Sequence, residues 1–200
     1  MMDESARLPR RASIRTHTTT MKPILTLAAC LPALAACGST VKNVDPLGQV
    51  FPSVAGQSLQ KQPVPIPGAY AGKPVVLLVG YVQETQFDLD RWAVGLTMAK
   101  LPVPAVEVPT IPGLVPSMIS GWIDSGMRSG IPAEDWASVV CVYGADAKKI
   151  VAITGNQSPR NGRVFLLDAQ GKVAWFHDRG FSAGKLAELD AKARELASRQ

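Results

Sequence analysis

The sequence predicts an α/β domain in which a mixed central sheet carries helices on both faces. Three observations predict it. Residues 75–82 (VVLLVGYV) and 138–143 (SVVCVY) are apolar runs without alternation, as expected of strands covered on both sides. Each run is followed by a helical pattern. Near the end, the turn Asp168-Ala169-Gln170-Gly171 separates two short apolar runs, the mark of an antiparallel hairpin.

The elements follow in order. Residues 49–59 (QVFPSVAGQSL) read as an edge β-element interrupted by Pro52, and the Pro/Gly-rich residues 61–72 as a loop into the first central strand. Thr85 is the expected helix N-cap, with Asp88 approximating a capping box. Leu89, Trp92, Ala93 and Leu96 then recur at helical spacing. Phe87, Val94 and Met98 form a second stripe, so this helix is expected between two layers. Pro102 and Pro104 end it, and residues 106–108 can form a short strand. Residues 114–127 predict a second helix, with Met118, Ile119, Trp122 and Ile123 on its inner face and Gly130 as its stop. A short helix over 146–152 follows the second central strand. Residues 163–167 and 172–177 form the hairpin, with Gly171 permitting the reversal. The last helix, 184–198, turns Leu186, Leu189, Ala193 and Leu196 inward, with Glu188–Lys192 and Glu195–Arg199 pairs outside. A βαβ start followed by ββα is the thioredoxin-like arrangement.

The leader sets the address. From Met21, MKPILTLAACLPALAACGST has one lysine, a short apolar run and then small residues, the grammar of a secretory signal. Leu34-Ala35-Ala36-Cys37 resembles a bacterial lipobox, in which Cys37 is acylated and becomes the first residue. The earlier LAAC ending at Cys30 comes only nine residues after Met21, too soon for a working apolar core. Ser39, not Asp, stands second after Cys37, which by resemblance to Gram-negative sorting favours the periplasmic face of the outer membrane. Residues 1–36 are thus a leader with Met21 as the expected start. Arg10-Arg11 lacks a twin-arginine context, and an Arg- and Ser-rich mitochondrial transit peptide is the competing reading. Residues 37–48 are expected to be a polar tether reaching about 35 Å, and residues 49–200 the domain.

Composition excludes other classes. Hydrophobic residues are 46% and charged residues 18% of the 200, which suits a folded protein. Of the net charge of +5, +3 lies in residues 1–36 (five basic against two acidic), leaving too little for a nucleic-acid partner. With Cys30 removed and Cys37 acylated, Cys141 is the one remaining thiol and has no disulfide partner. The polar turn after the first central strand, Gln83-Glu84-Thr85-Gln86, stands where a thiol–disulfide protein places Cys-x-x-Cys. A proline before the hairpin strand, the other thioredoxin requirement, is also missing from Asn161-Gly162-Arg163. No GxxxxGK[ST], GxSxG or HExxH motif is present, and His177 is the one histidine beyond the leader, so no cofactor or metal is expected.

Three stretches, GKPVVLLVGYVQETQFDLDRW, WIDSGMRSGIP and NGRVFLLDAQGKVAWFHDRGFS, together resemble mitochondrial ATPase complex assembly subunit ten and its bacterial relatives. The resemblance covers residues 72–189 and implies a thioredoxin-fold chaperone of the ATP synthase membrane subunit. A lipobox leader departs from that family's pattern.

The leading expectation is a non-catalytic, membrane-tethered domain that binds an envelope protein. Its candidate surface joins Gln83, Glu84, Thr85 and Gln86 to Asp124, Arg128 and His177. Asp124 and Arg128, at i and i+4, also have the spacing of a surface ion pair, and His177-Asp178-Arg179 reads as a solvated turn. Two alternatives stand beside it. One is a single-thiol redox or antioxidant enzyme using Cys141, although a thiol flanked by Val140 and Val142 reads as core. The other is a small-molecule pocket lined by Trp92, Trp122 and Trp175.

Overall fold

The computed structural model describes residues 40–113 and 117–199, with no side chains described at 117–119; Cys37 and the rest of the leader lie outside the described residues. The strands are β1 (Val54–Ser58), β2 (Pro63–Ile66), β3 (Val75–Gly80), β4 (Ala105–Ile111), β5 (Val140–Tyr143), β6 (Arg163–Leu167) and β7 (Val173–His177). The helices are α1 (Gln86–Met98), α2 (Ser117–Gly130), α3 (Gly144–Thr154) and α4 (Ala183–Ala197).

The seven strands form one sheet in the order β2-β1-β5-β4-β3-β6-β7. Helical crossovers through α1 and α2 make β3, β4 and β5 parallel, whereas β6 pairs antiparallel to β3 and turns back into β7. All six residues of β3 are buried, because it is central and covered on both faces. On one face Val76, Leu78, Val164 and Leu166 pack against Leu89, Trp92 and Leu96 of α1 and Leu189 and Ala193 of α4. On the other, Leu77, Val79, Val106, Val108 and Phe165 pack with Ala147, Ile150 and Val151 of α3. Met127 of α2 packs with Leu59, Val139 and Cys141. Val139 bridges to Glu107 of β4, so α2 lies over the β5 end of the α1 face.

Several expectations are corrected. The Pro/Gly-rich segment contains β2, and β2 is one edge of the sheet, while β1 is an inner strand between β2 and β5. An edge strand has a partner on one side only, which is where prolines such as Pro63 and Pro65 are tolerated. The second stripe of α1 is bare: Phe87, Val94 and Met98 are 74%, 59% and 79% exposed, so no layer covers them. Ala93 is also exposed. On α2, Trp122 is 78% exposed, and Asp124 takes a buried position on the inner face instead. On α4, Glu195 pairs with Arg199 as expected, but Glu188 pairs with Lys185 and Lys192 with Glu195.

The expected tether is docked from Val41 onward, so its expected reach is not available. Val41 N–H donates to Asn156 Oδ1 (2.6 Å) and Asn156 N–H returns to the Val41 carbonyl (2.9 Å). Asn43 N–H donates to Gln157 Oε1, and Asn43 Nδ2 to Asp178 Oδ2. Val44 N–H donates to Thr154, Gly48 N–H to Val173 and Phe51 N–H to Gly171, all at carbonyls. This strap therefore runs the length of β7. Gly155 makes room for it, with φ at +73° and the Lys42 carbonyl oxygen 2.2 Å from where a β-carbon would stand. Gly155→Ala is expected to lower stability by about 1–3 kcal/mol and to speed amide exchange at Val44. Urea unfolding and hydrogen exchange check this.

Candidate functional site

At the C-terminal end of β3 the chain passes from extended Val82 through a 3-10 turn, Gln83–Thr85, directly into α1. Thr85 already has helical dihedrals and does not cap α1 with its side chain. Instead its buried hydroxyl accepts from Val82 N–H (3.3 Å) and donates to the Pro159 carbonyl (2.8 Å). The helical geometry begins one turn earlier than the capping pattern suggests, so the hydroxyl is released to a loop 74 residues away. Gln83, Glu84 and Gln86 are exposed around it. Gln86 Nε2 also donates to Asp90 Oδ1 (2.8 Å).

Asp88 is not the far end of a capping box either. Its carboxylate is buried and accepts Gly162 N–H on Oδ2 and Phe181 N–H on Oδ1, each at 2.7 Å. One side chain of α1 thereby fixes the loop entering β6 and the loop leaving β7. Hydrogen bonds to a charged acceptor are the stronger kind, about 1.5–3 kcal/mol each. Gly162 holds the position where a thioredoxin-like proline is expected, and it lies close to α1. A β-carbon there would stand 2.4 Å from Leu89 Cδ2.

Arg163, the first residue of β6, is wholly buried. Its guanidinium donates to the carbonyls of Gln157, Ser158 and Asn161 at 2.6, 3.1 and 2.7 Å. It also stacks 4.7 Å from the centre of the Tyr81 ring. Burial pulls the guanidinium below its ordinary pKa, with Tyr81 and Asp178 acting in the opposite sense. Among the described residues it makes no ion pair, and its Nε has no partner. The carbonyls therefore satisfy most of a buried cation and set the loop's curvature. That loop presents Pro159 to Thr85.

The other expected surface residues are used structurally. Asp124 accepts from Tyr143 Oη at 2.6 Å, and Arg128 Nε donates to the Leu59 carbonyl at 2.7 Å and lies 5.9 Å from the Trp136 ring. The expected Asp124–Arg128 ion pair does not form, because each side chain has a partner across the α2–sheet interface. Cys141 is 1% exposed. Burial first, then the Asp124 charge and hydrogen bond, push its thiol up to about 12. Its thiolate fraction at neutral pH is then on the order of 10⁻⁵, far below that of a reactive cysteine.

His177 is half-buried instead of solvated. Nε2 lies 2.9 Å from the Gly180 carbonyl, and the ring is 5.9 Å from Trp92 and 6.0 Å from Trp175. Trp92 also meets Trp175 and Phe181 edge-on at 6.1 and 5.3 Å. These rings fill the space beneath α4. Trp122, exposed on α2, does not join Trp92 and Trp175 in a common pocket.

The structure thus leaves the turn at Gln83, Glu84 and Gln86 open and absorbs Thr85, Asp124, Arg128 and His177 into packing. Next to the turn, Phe87, Val94 and Met98 align along α1 at i, i+7 and i+11. Sequence reasoning missed Asp88 and Arg163 as organisers. The signal for Asp88 was its place four residues before Trp92, on the helix face that is buried.

Scans of protein-family profiles and of curated protein sequences give no match to this chain. Solved structures do match in fold. BsSco, a member of the Sco family of cytochrome c oxidase assembly proteins, aligns with a TM-score of 0.54 at 8% identity, over 78% of this chain and 98% of that one. A SCO1/SenC family lipoprotein from Bacillus anthracis aligns at 0.51 and 13%, over 78% and 99%. A thiol peroxidase from Chromobacterium violaceum aligns at 0.52 and 14%, over 78% and 91%. The fold is thioredoxin-like, a mixed seven-stranded sheet with helices on both faces.

Asp88→Asn keeps the shape but turns an amide NH₂ toward one of the two backbone donors. It is expected to cost about 1–3 kcal/mol, since one buried N–H loses its acceptor. Thermal and urea unfolding of the variant measure it.

Proposed function

We propose that this chain is a non-catalytic, thioredoxin-like protein-binding domain held to the membrane by lipid on Cys37, acting as an assembly factor or chaperone in the cell envelope. The observation that carries this reading is the bare stripe of Phe87, Val94 and Met98 beside the open polar turn at Gln83, Glu84 and Gln86. Aligned large apolar side chains left in water on a folded domain favour a protein partner. The turn offers hydrogen-bonding groups at the positive end of α1, and it lacks the cysteines that would make it a redox centre.

The comparisons are in keeping with such a role. BsSco is a member of a family of assembly proteins, and the sequence resembles an ATPase assembly factor. The Bacillus anthracis neighbour is a lipoprotein. The resemblance of Leu34-Ala35-Ala36-Cys37 to a lipobox, with Ser39 in place of Asp, supports an address at the periplasmic face of the outer membrane, with acyl chains as the anchor. Among the described residues, no helix is long and apolar enough to cross a membrane.

A photo-reactive residue at Gln83 in intact cells is expected to trap a discrete partner. Phe87→Glu and Met98→Glu are each expected to weaken that cross-link severalfold while leaving thermal midpoints unchanged. A cross-link indifferent to both substitutions would contradict a partner seated on this stripe. For Cys141, an alkylating reagent is expected to leave the folded protein unlabelled and to label it after denaturation. Rapid labelling of the folded protein would instead favour the single-thiol enzyme.

A further inference from the structure

The strap gives the anchor a direction. We propose that the rim formed by Lys42, the loop 155–162 and Arg179 rests against the phospholipid headgroups of the membrane that carries the anchor; this rests on the reading of Cys37 as lipidated.

Only four peptide steps separate Cys37 from Val41, which is hydrogen-bonded to Asn156 in both directions. Even fully extended, four steps span about 14 Å. A lipidated Cys37 therefore holds Val41 within that distance of the bilayer surface, with Asn156 one hydrogen-bonded contact beyond it.

Val41, Asn43 and Val44 are bonded to Asn156, Gln157 and Thr154, at the end of the sheet where β6 starts and β7 finishes. From there the strap runs away from that end and reaches Gly171 through Phe51. The anchor leaves the domain at the end that carries the Gln83–Thr85 turn, since Pro159 of the same loop accepts from Thr85. The hairpin turn at Gln170 lies at the other end of β6, a five-residue strand about 16 Å long. It faces away from the membrane.

Lys42, Arg160 and Arg179 are exposed and make no ion pair among the described residues. Exposed Glu84 and Asp45 and half-buried Asp178, which accepts from Asn43 Nδ2, offset the three charges. The rim is thus polar and close to neutral. It would not draw the domain to a membrane unaided, and it can rest among headgroups without repulsion once the acyl chains have brought it there. A partner reaching the Gln83 turn would then have to approach along the membrane plane.

The test uses the full-length acylated protein in vesicles of phosphatidylcholine and phosphatidylglycerol that carry a headgroup nitroxide lipid. A fluorophore is attached through Ser158→Cys on the rim or Gln170→Cys at the far turn, with Cys141 buried in both. Mass spectrometry of the N-terminal peptide reports acylation of Cys37 separately. The expected result is severalfold stronger quenching at 158 than at 170. Inserting about a dozen Gly/Ser residues after Ser39 should bring the two sites to a common level, because a flexible chain of that length frees the domain from the surface. Equal quenching in the acylated protein of native length overturns the orientation and leaves the anchor standing. Quenching at 158 that is unchanged by the insertion overturns the role given to the short link. An unacylated Cys37 overturns the anchor, and the orientation with it.

Discussion

The Asp88 carboxylate bridges Gly162 N–H and Phe181 N–H at 2.7 Å each, and the arrangement of the whole β3–α1 rim depends on that bridge. A carboxylate beneath the first turn of α1 must be compensated when it is buried, and here two backbone donors from distant segments supply the compensation. One comes from the loop entering β6 and the other from the loop between β7 and α4. Fixing both loops to α1 sets where Pro159 meets Thr85 and how closely Gly162 approaches Leu89. Arg163 completes the frame from the other side, drawing three carbonyls of the 157–161 segment around a buried guanidinium. An anion on the helix and a cation on the strand thus organise the same loop without touching each other.

This frame presents a turn with no thiols at the place where the fold usually carries them. The one thiol of the described domain lies elsewhere, on β5 under α2, buried beside the hydrogen-bonded pair Asp124 and Tyr143. What remains open on the α1 side is a polar turn and an uncovered apolar stripe, a combination suited to holding another surface. The strap adds a constraint of location. Because it is bonded along the domain from Val41, any lipid on Cys37 acts on this rim through a very short link.

The central strands and the hairpin were legible because their signals are local and strong: an unbroken apolar run for residues 75–80, and a turn ending in Gly171 between two short runs for β6 and β7. β2 was not, since Pro63 and Pro65 look like loop residues unless the strand is known to be an edge. Periodicity showed the two stripes of α1 but could not show that only one has a layer to meet. The Asp124–Arg128 spacing allowed an ion pair, yet Tyr143 and the Leu59 carbonyl, reached only after folding, hold the two side chains instead. Asp88 stood on the buried face of its helix in plain view. Its partners, 74 and 93 residues away in the chain, are set by tertiary structure alone.

The most direct measurement is site-resolved amide exchange by NMR at Gly162 and Phe181 in the native protein. If the buried carboxylate locks the rim, both amides exchange only through global unfolding, with the same opening free energy as Leu77 and Leu78 in β3. Fast exchange at Gly162 and Phe181 while β3 stays protected would mean that the loops open independently. The rim would then not be a preformed platform.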